Sequence, residues 1–312
     1  MPSIVPPPAL VRNAVEVWGA AGRRWLDTLP AIVDAVARDW RLRVGRPFEL
    51  SYHWVAEATR EDDGSAAVLK LGPPQPGHLD IEAAALRFYD GRGAVRLLAH
   101  DPARGALLLE RATPGTMARS LVPAEDEEAT AAMIAVMGRL HRTPPPPDCP
   151  LPDLSTESTS FKDHLRRFPG DDPLPRHLVE RAGRLFDELC SDGTDRVVLH
   201  GDLHHDNVLR ATREPWLAID PHGYVGDRGY EAGALLYNPD PDDRDDDLLK
   251  LVPARVAQLA DGMSLPVERV RAWGFVTAVL SEVWTAEAWT PLEPTEPTRA
   301  LDVAMHLLPR LS

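Results

Sequence analysis

The chain has 312 residues, 44% hydrophobic and 26% charged, which allows one large or two smaller packed units and excludes general disorder. Its 34 basic and 48 acidic residues leave a formal charge of −14, a field that repels nucleic-acid backbones and anionic membrane surfaces and suits a small cationic partner. Two cysteines, Cys149 and Cys190, are too few for a disulfide framework and read as reduced thiols of a cytoplasmic enzyme.

The opening MPSIVPPPAL is broken by prolines and lacks the basic start and continuous apolar core of a signal peptide. Ile32, Val33, Val36, Ala37 and Trp40 recur at helical spacing. Strands are predicted over Pro47 to Leu50 and Tyr52 to Ala58, followed by a hairpin turn at Asp62-Asp63-Gly64 and a third strand over Ala66 to Leu71. Asp80 to Tyr89 sets Ile81, Ala84, Ala85, Phe88 and Tyr89 on one face of a short helix, and the apolar runs Val95 to Ala99 and Ala106 to Leu109 close this part. Beyond Pro114-Gly115 the pattern is mainly helical, with strand-like interruptions at Val197 to Leu199, Val208 to Leu209 and Leu217 to Ile219. Pro144 to Pro147 is a stiff connection between helices, and Asp240 to Asp247 reads as a solvated acidic loop and helix start. The apolar stretch Phe275 to Val283 is interrupted at Thr277 and Ser281 and is too short to cross a membrane. The class is therefore α+β: a small unit of sheet and helix over 1–112, with its boundary at Glu110 to Thr113, and a larger helical unit over 113–312.

The 34 basic residues comprise 31 Arg and only 3 Lys, so each lysine is informative. A compact ammonium fits a tight polyphosphate site better than a planar guanidinium does, and Lys70 lies in the third strand. The densest chemistry follows Val197-Val198-Leu199, where a loop carries His200, Asp202, His204, His205, Asp206 and Asn207, and a further strand ends in Asp220. Asp202, Asn207 and Asp220 suit phosphoryl transfer: one carboxylate faces an attacking hydroxyl while an amide and a second carboxylate hold cations on phosphate oxygens.

His200-Gly201-Asp202, the asparagine five residues on, and Ile219-Asp220-Pro221 resemble the signature of aminoglycoside-phosphotransferase-like kinases, relatives of protein kinases. Leu199 to Leu209, Pro215 to Pro221, Val225 to Glu231 and Leu235 to Pro239 resemble more narrowly the aminoglycoside 6-phosphotransferase (streptomycin 6-kinase) and hydroxyurea-kinase branch, over about Trp25 to Trp289. The resemblance implies a two-lobed protein-kinase-like fold with a sheet-and-helix N-lobe and a helical C-lobe, and a kinase dependent on ATP and Mg2+. By the same resemblance Asp202 is the catalytic base, Asn207 and Asp220 are magnesium ligands, and Lys70 holds the α and β phosphates with Glu82 as its ion-pair partner. The Glu110 carbonyl and Ala112 amide would meet adenine, and Ser51 lies in the loop that covers the phosphates. That loop, Leu50 to Val55, departs from the family in having no glycine, and His222 stands where close relatives carry lysine.

The implied acceptor is a small molecule with a hydroxyl, most simply a streptomycin-type aminoglycoside and otherwise hydroxyurea or a sugar-like metabolite. A polycation calls for converging carboxylates, and Glu231, Asp240, Glu282 and Glu287 are the candidates. His200, His204 and His205 read as loop scaffold, Asp227 as a cap, and Trp273, Trp284 and Trp289 as core with a stacking alternative. A rival transition-metal hydrolase built on the histidine cluster with His222 and Asp220 leaves Lys70 and Glu82 unexplained, and a nucleotide-binding scaffold leaves the complete catalytic set unexplained. Acceptor identity, ATP against GTP, and oligomeric state stay open at this level.

Overall fold

The apolar stripe around Val33 belongs to a helix much longer than its periodicity suggests. In the computed structural model, which describes residues 6–50, 52–73, 78–193, 195–288 and 296–308, helix α1 runs Pro8–Asp39. Gly19 interrupts it with φ 55° and ψ −127°, values outside any helix, and the chain doubles back so tightly that a Cβ on Gly22 would lie 1.8 Å from the Ala14 carbonyl oxygen. Leu10, Ala14, Trp25, Leu29, Val33 and Val36 are thereby buried in one core with Trp54, Leu69, Leu71 and Leu108 of the sheet. Ser51 and Trp289 lie outside the described residues.

The sheet of this first unit, Met1–Thr113, comprises β1 (Leu42–Pro47), β2 (Trp54–Arg60), β3 (Ala66–Leu71), β4 (Leu97–Asp101) and β5 (Ala106–Glu110). It is antiparallel throughout, in the order β1-β2-β3-β5-β4. The first strand is five residues earlier than Pro47 to Leu50. Arg41, at φ 54°, turns the chain out of α1, and Leu42 pairs at once with Arg60. Edge-strand alternation, with Leu42 buried and Arg43 exposed, masks a run with few apolar residues. The Asp62-Asp63-Gly64 turn forms as expected, with Ser65 N donating to Asp63 Oδ1 at 2.9 Å and Gly64 at φ 71°. Helix α2 (His78–Tyr89) follows β3 and brings Glu82 to the same interior as Lys70.

The second unit, Pro114–Ser312, carries β6 (Pro114–Met117), α3 (Asp126–Leu140), α4 (Ser158–Arg167) and α5 (Arg176–Ser191). Strands β7 (Arg196–Leu199), β8 (Val208–Ala211), β9 (Trp216–Ala218) and β10 (Tyr224–Asp227) come next. Helices α6 (Glu231–Tyr237), α7 (Asp246–Leu249), α8 (Val252–Gly262), α9 (Val267–Thr285) and α10 (Arg299–Leu307) complete it. Helix α9 is the hub, packed by α4, α5, α6, α8 and α10. Fully buried Trp273 at its middle meets Phe186 and Tyr230 edge-on, at centroid distances of 5.8 and 5.5 Å. Phe275 to Val283 thus lies in the interior of the helical core, and no helix among the described residues is long and apolar enough to cross a membrane.

Arg255 on α8 fixes the connection that leaves α6. Its guanidinium is 1% exposed, grips both carboxylate oxygens of Asp126 at 2.6 to 3.1 Å, and donates to the carbonyls of Leu235 and Asn238 at 2.5 and 2.7 Å. Removing one partner of a buried pair leaves the other charge desolvated, at about 3–5 kcal/mol. Arg255→Leu is expected to lose stability on that scale in urea unfolding; a loss under about 1 kcal/mol would show that the pair is not buried as described.

Candidate active site

Strand β7 delivers the loop from His200 to Asn207, and the β8–β9 hairpin returns the chain to Asp220. The two ends are tied by Ile219 N donating to the Asn207 carbonyl at 2.9 Å, which puts Asp220 one residue beyond the position opposite Asn207. Asp220 is held at φ 60°, a left-handed conformation that an L side chain adopts only under constraint from its surroundings. Gly201, at φ 84°, is required twice over, since a Cβ there would meet the Tyr224 ring at 2.7 Å. Buried His200 braces the loop: Nε2 lies 2.8 Å from the Ile219 carbonyl and Nδ1 accepts from Asp202 N at 3.3 Å. One ring nitrogen donates and the other accepts, so the imidazole is neutral, in keeping with a pKa that burial lowers.

Asp202 is the carboxylate this loop presents, with a side chain 36% exposed. Its Oδ2 accepts from Asn207 Nδ2 at 3.0 Å and faces His204 Nε2 at 3.5 Å and His222 Nε2 at 3.8 Å. Burial pushes the carboxyl up, but the His204 charge and hydrogen bond, and then His222, outweigh it and hold the group below its usual range. His204 stands between Asp202 and Asp206, and although burial pushes it down the two carboxylates raise it to about 10. Asn207 spends Nδ2 on Asp202, so its amide oxygen is the atom it has for a cation. The Asp220 carboxylate is the second oxygen donor that could hold a hard divalent ion.

The histidine cluster does not form a transition-metal site. His200 and His205 are fully buried, His200 is committed to Ile219 and Asp202, and among the described residues no group of three His, Cys, Asp or Glu side chains could hold a metal ion. Asp227 is a cap, accepting from Gly229 N at 2.7 Å and pairing with Arg269.

The acceptor carboxylates expected from the sequence require correction, because two of them point inward. Glu231, 1% exposed, accepts from the backbone N–H groups of His200 and Gly201, so it braces the Asp202 loop and does not offer a carboxylate to a cation. Glu282, 2% exposed, accepts from Thr298 N, Thr298 Oγ1 and Leu301 N at 2.9, 2.5 and 3.1 Å and caps α10. Asp240 is exposed, at φ 48°, and is paired with Arg119, which also meets Asp206 at 3.0 Å. Glu287 is exposed beyond the end of α9, so α9 stops between Glu282 and Glu287 and the two share no helix face. Glu231→Ala is expected to strand the buried His200 N–H and the part-buried Gly201 N–H, the former at roughly 1–3 kcal/mol, and to lower turnover through the loop while the acceptor KM moves little. A large acceptor KM effect with unchanged stability would restore Glu231 to direct contact.

In the first unit, Lys70 Nζ meets Glu82 Oε2 at 2.7 Å, with the two residues 4% and 3% exposed. Glu110 ends β5 opposite Ala67, three residues from Lys70 along β3, a separation of about 10 Å at ~3.3 Å per residue. The Glu110 carboxylate accepts from Arg96 N at 2.9 Å, and Ala112 is buried two residues on. The faces of α6 and α9 beside Asp202 add residues not expected from the sequence, apart from Trp284 with its stacking alternative. Tyr230, Ala234 and Tyr237 on one side and Thr277 and Trp284 on the other recur at helical spacing.

A sheet-and-helix unit with a buried Lys–Glu pair, followed by a helical unit with an Asp–Asn–Asp loop system, defines a protein-kinase-like phosphotransferase of the two-lobed α+β class. The chain belongs to the aminoglycoside/hydroxyurea antibiotic resistance kinase family, whose model matches residues 52–288. It is 30% identical over 310 residues to the streptomycin 6-kinase of Streptomyces glaucescens, covering 96% of this chain and 97% of that protein. It is 33% identical over 306 residues to the hydroxyurea phosphotransferase of Kitasatospora aureofaciens, covering 97% and 86%. Among solved structures, amicoumacin kinase in complex with AMP-PNP, Ca2+ and Ami superposes with a TM-score of 0.59 at 16% identity, over 93% of this chain and 94% of that one. The protein is accordingly a phosphotransferase with a hydroxyl group as acceptor.

Proposed function

We propose that the protein transfers the γ-phosphoryl group of Mg-ATP to a hydroxyl of a streptomycin-type aminoglycoside, and so inactivates the antibiotic in the cytoplasm. The observation that carries this is Asp202, a part-exposed carboxylate held ionised in a loop where His200 and Asn207 are fixed by hydrogen bonds. Asp202 orients the acceptor hydroxyl and takes its proton as the oxygen–phosphorus bond forms and the bond to the ADP oxygen breaks. Lys70, fixed by Glu82, holds the α and β phosphates, and the Glu110 carbonyl and Ala112 amide receive the adenine. Asn207 and Asp220 would hold the divalent cation, which would neutralise charge on the phosphate oxygens. The relative at 30% identity that is named streptomycin 6-kinase supports the acceptor.

The inward carboxylates of Glu231 and Glu282 favour a second acceptor, hydroxyurea, which needs no acidic cluster and is named in a relative at 33% identity. Incubation of the purified protein with Mg-ATP and streptomycin, other aminoglycosides, hydroxyurea or simple sugars, followed by mass determination, decides between them. A one-phosphoryl mass gain on streptomycin is expected; a gain on hydroxyurea alone replaces the acceptor, and no gain on any compound sinks the reading.

A further inference from the structure

Arg119, in the 3-10 turn Ala118–Leu121, meets the loop of Asp202 at three points. Its backbone N donates to the His205 carbonyl at 3.1 Å, Nη1 stands 3.0 Å from Asp206 Oδ1, and Nη2 is paired with Asp240 Oδ2. A part-exposed ion pair by itself contributes little, because two long side chains must be held in one geometry against solvent. Here both carboxylates are placed by their own backbones. Asp206 lies between the bonded His205 carbonyl and Asn207, whose N donates to the His204 carbonyl at 3.0 Å. Asp240 is held at φ 48°, in the left-handed region that strains an L residue. Buried Arg299 secures that conformation by donating to the carbonyls of Tyr237, Pro239 and Asp240 at 2.9, 2.7 and 2.9 Å.

From Asp206 the contacts continue to the base. Asp206 Oδ2 lies 3.6 Å from His204 Nδ1, and His204 Nε2 lies 3.5 Å from Asp202 Oδ2. The imidazole thus stands almost midway between two carboxylates, and it leans toward whichever of them is less well supplied with other partners. Asp202 has Asn207 Nδ2 at 3.0 Å, and Asp206 has Arg119. Taking Arg119 away leaves Asp206 to draw on His204 more strongly, at the expense of Asp202.

We propose that Arg119 is a positioning residue for phosphotransfer: held by Asp240, it compensates Asp206 and so keeps His204 against the Asp202 carboxylate. The inference rests on the phosphotransfer reading above, in which Asp202 takes the acceptor proton, and it assigns work to Arg119, Asp206 and Asp240, which that reading leaves unused.

The test measures kcat, both KM values and the urea midpoint for wild type, Arg119→Met, Arg119→Lys, Asp206→Asn and the double variant Arg119→Met/Asp206→Asn, with whichever compound the wild type phosphorylates. Arg119→Met is expected to lower kcat about tenfold and to leave the KM of ATP and of the acceptor within about twofold, since Arg119 is assigned to neither ligand. Arg119→Lys is expected to recover most of the loss, because one ammonium can serve Asp206 although it cannot fork to Asp240 as well. The double variant is expected to turn over about threefold faster than Arg119→Met or better, because an amide at 206 no longer competes for His204. An unchanged kcat in Arg119→Met, or a double variant as slow as Arg119→Met, overturns the proposal and leaves the kinase reading intact. Should Arg119→Met not fold, Asp240→Asn takes its place: a kcat lowered about threefold supports the proposal and an unchanged kcat overturns it. If the wild type phosphorylates no compound, the reading above has failed, and nuclear magnetic resonance of histidine-labelled protein at one pH tests the contacts by themselves. The His204 ring resonances, assigned by their loss in His204→Gln, are expected to move in Arg119→Met and to move back in the double variant. Resonances that stay put, or that do not move back, overturn it.

Discussion

Asp202→Asn is expected to lower kcat by about 10²–10⁴-fold and to leave the ATP KM within about twofold of wild type. The size follows from what the carboxylate does, since an amide cannot accept the acceptor proton at neutral pH. The selectivity follows from where it sits. An amide at this position keeps an oxygen for Asn207 Nδ2, and the loop is held independently by His200 on Ile219 and by Glu231 on two backbone N–H groups. The variant keeps these ties but takes one of two carboxylates from the His204 charge, so its unfolding midpoint is expected to fall slightly while the fold is retained. Near-normal turnover would take Asp202 out of the mechanism. Asp220→Ala gives the contrasting signature, a steep rise in the Mg2+ concentration needed for half-maximal rate, because that carboxylate is assigned to the cation and not to the acceptor.

The sequence exposed the chemistry better than the acceptor. Asp202, Asn207 and Asp220 stood out because His200-Gly201-Asp202, the asparagine five residues on and Ile219-Asp220-Pro221 resemble a kinase signature, and Lys70 because 3 lysines stand among 34 basic residues. The early strand Leu42–Pro47 was hidden because an edge strand needs apolar residues on one face only, and Leu42 and Val44 are a thin signal. Strand β10 was hidden because Tyr224 to Asp227 reads as the lead into a cap and forms a strand only by pairing with β7. The acidic candidates failed for a different reason. Composition records that a carboxylate exists but not which way it points, and Glu231 and Glu282 both turned to unsatisfied backbone N–H groups, the nearest strong donors at the Asp202 loop and at the start of α10. The α6 and α9 faces were legible as spacing, yet an aromatic stripe on a helix is by default core, and only the packing of the two helices shows that Trp284 is partly open while Trp273 is sealed.

Breaking the Lys70–Glu82 pair is expected to have effects that stability and activity separate. Sequence alone makes Glu82 a positioning group whose loss is the milder of the two. Burial reverses that order for folding: with both residues under 5% exposed, Glu82→Ala takes the carboxylate from a buried ammonium and is expected to cost about 3–5 kcal/mol in urea unfolding. Lys70→Met replaces the ammonium with a slim apolar chain of similar length in a strand whose neighbours Leu69 and Leu71 are fully buried, so it can be accommodated only if Glu82 takes up a proton or is neutralised by substitution. Lys70→Met combined with Glu82→Gln is therefore expected to recover most of the folding stability lost in Glu82→Ala, because no uncompensated charge stays buried. Activity follows the other logic. The double variant has no cation for the α and β phosphates and is expected to remain as poor as Lys70→Met in kcat/KM for ATP. A double-mutant cycle on stability is expected to show a coupling of about 0.5–3 kcal/mol. Strictly additive stabilities would mean that the two side chains do not act as a pair, and recovery of ATP kinetics in the double variant would mean that Lys70 does not hold the phosphates.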